Sequence, residues 1–226
     1  WNETGSGELA KMNHCHLALG TNLLISVMSS ASAIDTGPPD TSSPRGTFDS
    51  FLSLTHELAG RYTAYLADPN QETQHALVRT IDRGQFLMNL SEIAPTARRE
   101  VAADAVVKIW SLVARVELPR SEDIPDAAAF GNDGPLAHQP PKWRLPGTGI
   151  VSQRVDEGQQ TGEFLFSAQT IASLDRYIEA AHELPYLRQE PVADLSGTLD
   201  RFSGWMLPPR LVARIPGWAQ HPIAGQ

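Results

Sequence analysis

The sequence predicts an α+β, mainly α fold: a helical bundle of about four helices with one β-hairpin and a Pro/Trp-rich C-terminal segment. Three observations predict it. Apolar residues recur at helical spacing in separate stretches. One stretch, Trp143 to Ser167, is instead β-branched and alternating around a polar Gly-containing connection. Prolines stand at the ends of these stretches, where they stop an element without breaking one.

The first 33 residues are expected to be a leader with a signal peptide. From Met12 it runs NHCHLALGTNLLISVMSSASA, an apolar stretch of signal-peptide length, and Ala31-Ser32-Ala33 has the form of a signal-peptidase site with Ile34 as the first mature residue. Residues 1–11 match neither the signal nor the domain, so 1–33 read as leader and signal. Residues 34–47 are a Pro/Ser/Thr linker ending in a helix start, where Ser43 caps and Pro44 occupies the first helical position.

The α-rich domain is expected over 48–200. In its first helix Phe48, Phe51, Leu52, Leu58, Tyr62, Tyr65 and Leu66 recur at helical spacing up to Asp68-Pro69. A second helix follows Asn70, carries Leu77, Ile81 and Phe86, and ends near Asn89-Leu90-Ser91. The third, Thr96 to Val116, puts Val101, Ala105, Ile109, Leu112 and Val116 on one stripe and stops at Leu118-Pro119. A proline-rich loop covers 119–142. Then comes the hairpin at 143–167, with strands around 150–155 and 162–166 joined by Asp156 to Thr161. Ser167 caps a fourth helix over Ala168–Glu183, which Leu184-Pro185-Tyr186 closes.

Composition narrows the function classes. A chain of 226 residues that is 41% hydrophobic can bury a sizeable core, and its net charge of −8 argues against a nucleic-acid partner. The single cysteine, Cys15, lies in the leader, so the mature chain offers no disulfide or thiol nucleophile. No apolar run of about 20 residues follows residue 33. The segment 201–226 carries Arg201, Arg210 and Arg214 and no acid, giving it +3. Cationic, Trp-bearing text after an acidic body suits approach to a membrane surface. The candidate interaction surface is therefore Trp143, Trp205, Arg210, Arg214 and Trp218.

Chemistry is sparse. His56-Glu57 and His182-Glu183 begin H-E pairs, but Gly60 and Tyr186 stand where a second histidine would complete H-E-x-x-H. His75, His138 and His221 stand alone, and no metal or cofactor is expected. There is no G-x-S-x-G elbow or S-x-x-K. Gly147-Thr148-Gly149 leads into strand-like residues rather than a helix, which a phosphate cradle would need. Asp123/Asp126 and Asp156/Glu157 are paired acids in turn-like text, where solvation and local hydrogen bonding account for them.

Several strings, read in order, carry a resemblance: Pro39-Asp40-Thr41-Ser42-Ser43-Pro44-Arg45, Leu118-Pro119 with Ile124-Pro125-Asp126, and Trp143-Arg144-Leu145-Pro146-Gly147-Thr148 with Ile150. Gly162-Glu163-Phe164-Leu165-Phe166-Ser167, Leu184-Pro185-Tyr186, Leu207-Pro208 and Ile215-Pro216-Gly217-Trp218 complete the set. Residues of about 38–220 thus resemble the N-terminal extracytoplasmic region of large bacterial membrane proteins of the small-conductance mechanosensitive channel type. Gly149 departs from that pattern, which has an acidic residue there. The resemblance implies a non-enzymatic, modulatory or sensing domain on the outer side of the inner membrane. It also implies attachment through a region downstream of Gln226, homo-oligomerisation in the full-length protein, and no catalytic residues. An exported carboxylate hydrolase near the hairpin and a periplasmic small-molecule binding module are the competing expectations.

Overall fold

A computed structural model describes residues 37–188. Its elements are α1 (Pro44–Ala67), α2 (Gln71–Arg83), α3 (Arg98–Val113), β1 (Lys142–Arg144), β2 (Val151–Arg154), β3 (Phe164–Phe166), α4 (Ala168–Ala172) and α5 (Leu174–Ala181). The fold is α+β and mainly α, as expected from the periodicity. The expected leader and signal-peptidase site, and Trp205, Arg210, Arg214 and Trp218, lie outside the described residues.

Helix α1 starts as its sequence demands. The Ser43 hydroxyl accepts the Gly46 N–H at 3.1 Å, and Pro44, which has no N–H to satisfy, takes the first position. Its buried side chains, Phe48, Phe51, Leu54, Leu58 and Tyr62, lie on one stripe. Burying each stabilises the fold by about 1.5–3 kcal/mol. Leu66 is 58% exposed, because the last turn of α1 runs past the core. Residues 38–43 are bonded into the domain: Phe164 N–H donates to the Thr41 carbonyl at 2.7 Å, and the Thr47 hydroxyl donates to the Phe164 carbonyl at 2.5 Å.

An Asn70–Thr73 capping box opens α2, which packs on α1 across a short connection. Sequence periodicity carries this helix to Asn89 with Phe86 inward, but it ends at Arg83. A 3-10 turn over Gly84–Leu87 follows, leaving Phe86 51% exposed while Leu87 and Met88 are buried. The cause is close packing. A Cβ on Gly84 would lie 2.3 Å from Val106 Cγ2, so the backbone passes directly against α3, and the tighter turn rotates the face that points inward.

Helix α3 buries Ala102, Ala105, Val106, Ile109, Leu112 and Val113. The stripe is thus rotated from that expected: Val101 and Val116 are only partly buried. The helix also stops at Val113, before the Leu118-Pro119 boundary. There the chain from Leu184 to Arg188 supplies its cap. Leu187 N–H donates to the Ala114 carbonyl at 2.9 Å, and the Arg188 guanidinium donates to the carbonyls of Val113 at 3.1 Å and Val116 at 2.6 Å. Terminal carbonyls that meet a cation need no further helical turn.

The expected hairpin is a three-stranded antiparallel sheet in the order β1-β2-β3. Trp143 pairs with Ser152 and Ser152 with Phe166, so these three share the face turned to α1. There Phe48 meets Trp143 edge-on at 5.6 Å and Phe51 meets Phe166 at 5.3 Å. β1 escapes sequence detection because three residues between prolines carry too little alternation, and its pairing with β2 is what makes it a strand.

The single fourth helix expected over 168–183 is broken at Ser173. The Thr170 hydroxyl accepts the Val151 N–H at 3.0 Å and is 3.0 Å from the Ser167 hydroxyl, pinning α4 to β2. Past the break α5 lies on α3, with Leu174 buried and Lys108 paired to Asp175.

Candidate functional site

A cluster of polar groups surrounds the N-terminus of α1. Asp40 Oδ1 accepts the Ser42 N–H at 2.9 Å, and the Asp40 carboxylate lies against Gly46 in the first turn, where the helix dipole favours an anion. Arg45 reaches across to the loop before the sheet. Its N–H donates to the Pro125 carbonyl at 3.1 Å, its Nε to the Ile124 carbonyl at 2.9 Å, and its Nη1 lies 3.3 Å from the Asp126 carboxylate. Asp126 also caps the following 3-10 turn through the Ala129 N–H at 3.1 Å. A shallow groove of about 430 Å³ runs over this surface, lined by Asp40, Ser42, Arg45, Asp49, Ser50 and Asp126. A second of about 230 Å³ shares Asp49 and Ser50 and ends at Arg83.

The acids are already occupied. Asp49 accepts the Ser121 hydroxyl at 2.6 Å, Asp123 is held by Arg120 at 2.9 Å, and Asp126 by Arg45. Asp123 and Asp126 therefore serve different partners rather than sharing a cleft. Asp156 and Glu157 are exposed in the β2–β3 connection. Glu57, of the first H-E pair, is mostly buried and accepts from Arg83 at 2.6 Å and the Thr80 hydroxyl at 3.2 Å, with Arg61 at 3.5 Å. Arg83 in turn donates to the Gly37 carbonyl at 3.3 Å, so this network holds the entering chain. His56, His75, His138 and His182 are exposed. Among the described residues no group of three or more His, Cys, Asp or Glu could hold a metal ion.

Comparison with family models, curated proteins and solved structures finds no match to this chain.

A second charged joint links α3 to α5. Lys108 lies 2.6 Å from Asp104 on its own helix and pairs with Asp175 on the other. Burial works to lower the Lys108 pKa, but its hydrogen bonds to Asp104 and Asp175, with their negative charge, outweigh burial and hold it above the ordinary 10.5. At the exit, Arg115 stacks 3.8 Å over the Tyr186 ring and donates to the Leu184 carbonyl.

Of the expected interaction surface, Trp143 is half-buried and packs against the core, its ring meeting Phe48 edge to face. Sequence reading missed Arg45, Glu57 and Arg83 as organisers of the entry joint. The local signal was slight: an arginine directly behind a helix-capping Ser-Pro, and an acid inside an apolar stripe. Their partners are 81 and 26 residues away. A Cβ on Gly149 would lie 2.2 Å from Tyr177 Cζ. The α5 ring fills the space that an acidic side chain would need.

Proposed function

We propose that this chain is a non-enzymatic extracytoplasmic domain of a membrane protein of the small-conductance mechanosensitive channel type. It is joined to the membrane through a region downstream of Gln226, assembles as a homo-oligomer, and serves a modulatory or sensing role without a cofactor. One observation carries the reading. Three of the strings that resemble that family, at 39–45, 124–126 and 162–167, meet at the start of α1. Thr41 and Phe164 share a backbone hydrogen bond, and Arg45 binds the Ile124-Pro125-Asp126 string. Tyr186 of the Leu-Pro-Tyr string lies under Arg115 at the end of α3. Strings that serve one another's geometry support reading them as one structural signature.

Among the described residues no helix is long and apolar enough to cross a membrane; in this reading the attachment lies in the region downstream of Gln226. The test is the natural reading frame beyond Gln226 together with fractionation of its full product. Hydrophobic spans, recovery in the inner membrane and protease access to residues 37–188 from the periplasmic side are expected. A reading frame without spans, or a product recovered in the soluble fraction, would refute the proposal.

A further inference from the structure

β1 is an edge strand, and its free edge is charged. Leu145 N–H donates to the Ile150 carbonyl and Arg154 N–H to the Pro141 carbonyl, so the odd-numbered residues of this segment bond to β2. Val151, opposite Arg144, spends its groups elsewhere: its N–H goes to Thr170 and its carbonyl accepts from Ser167. The Arg144 N–H and carbonyl and the Lys142 carbonyl therefore face away from the sheet, and among the described residues no strand pairs with them. Lys142 N–H is satisfied by the Pro140 carbonyl at 2.7 Å.

The cations add a second, independent sign. Among the described residues the side chains of Arg79, Lys142, Arg144 and Arg154 make no ion pair, hydrogen bond or ring contact, although the chain as a whole carries −8. Three of these four lie on β1 and β2. Lys142 and Arg144, two positions apart, project from the same face about 6.7 Å from one another, and both are exposed.

We infer that the outer edge of β1 docks an extended, acid-bearing segment of a partner protein, which adds to the sheet as a fourth strand. The main-chain groups of β1 supply backbone hydrogen bonds, and acids at alternate positions of the incoming strand meet Lys142 and Arg144. The same two cations oppose pairing with a second copy of β1, where like charges would face each other. Like-charge repulsion against self with attraction for an acidic strand is a specificity device. The inference stands on the sheet geometry and does not depend on membrane attachment.

The test uses the 226-residue chain, labelled for amide NMR, with a nine-residue peptide alternating glutamate and valine as probe. The expected result is binding below 1 mM (about the weakest useful affinity, on the order of 4 kcal/mol), with shifts centred on Lys142 to Arg144 and slowed exchange of the Arg144 amide. Binding weakens with salt, and the double variant Lys142→Glu/Arg144→Glu loses it at least tenfold while melting as the parent does. Lys142→Gln/Arg144→Gln gives an intermediate loss. Equal binding of a lysine–valine peptide, unchanged binding by the double variant, or no shift at 1 mM peptide would each overturn the inference. So would phosphatidylglycerol vesicles shifting the β1 signals when the peptide does not, because that pattern belongs to a membrane surface.

Discussion

Replacing Gly149 by alanine tests the contact between the sheet turn and α5. The added Cβ would lie 2.2 Å from Tyr177 Cζ, 2.4 Å from its hydroxyl oxygen and 2.6 Å from Cε1. Ordinary contact begins at 3.4 Å, so the ring must retreat by about 1.2 Å. Gly149 lies next to Ile150, which is 1% exposed and paired through its carbonyl to Leu145, so the strand side yields less than the half-buried tyrosine. Overpacking of this kind costs about 1–3 kcal/mol. At the middle of that range, about 2 kcal/mol, a chain of this size loses about 4–8 °C in melting temperature. Thermal unfolding followed by circular dichroism measures it. The partner variant Tyr177→Ala removes the obstruction, so Gly149→Ala in that background should cost about 1–2 kcal/mol less than in the parent. Equal cost in both backgrounds, or no cost in the parent, would refute the packing argument.

Further outcomes follow from other contacts. Ser152 is 1% exposed, lies between Trp143 and Phe166, and has a hydroxyl with no hydrogen-bond partner. Ser152→Ala should therefore leave stability unchanged or raise it by about 1 kcal/mol in denaturant titration. Thr47 is fully buried and donates to the carbonyl of Phe164, so Thr47→Val should lose about 1–3 kcal/mol by the same assay. The Lys108 pKa is raised on folding, so its contribution is complete below pH 10.5 and disappears as pH climbs through the higher folded value. Lys108→Met should flatten that part of the alkaline stability profile; an unchanged slope would show that Asp104 and Asp175 do not hold the ammonium. Arg188→Ala uncovers the carbonyls of Val113 and Val116 and should speed amide exchange at Leu187, with α3 itself intact.

Local chemistry was readable wherever one segment could satisfy its own backbone. Ser43-Pro44 and Ser167 are caps in the sequence and caps in the structure, α2 begins after Asn70 as expected, and Asp68-Pro69 ends α1 as written. The same reading failed wherever a distant partner intervened. Phe86 follows the helical period of α2, but contact of Gly84 with Val106 replaces the last turn and faces it outward. Thr170 continues a helical pattern, yet its bond to Val151 sets up the break at Ser173. The entry joint behaved likewise. Arg45 and Asp126 were visible as charged residues, and nothing local pairs them across 81 positions.

By itself the sequence determined the mainly α composition, the starts of α1, α2 and α4, and the position of the β segment. These depend on capping groups, proline and periodicity within one or two turns of chain. Tertiary structure alone decided that the hairpin has a third strand, that α3 ends early under Arg188, and that Thr41, Phe164 and the Ile124-Pro125-Asp126 stretch meet at the start of α1. It also decided which cations stay unpaired on the edge of β1. The reason is physical: hydrogen-bond satisfaction and close packing are settled between segments, and a buried group accepts whichever partner the fold brings within about 3 Å.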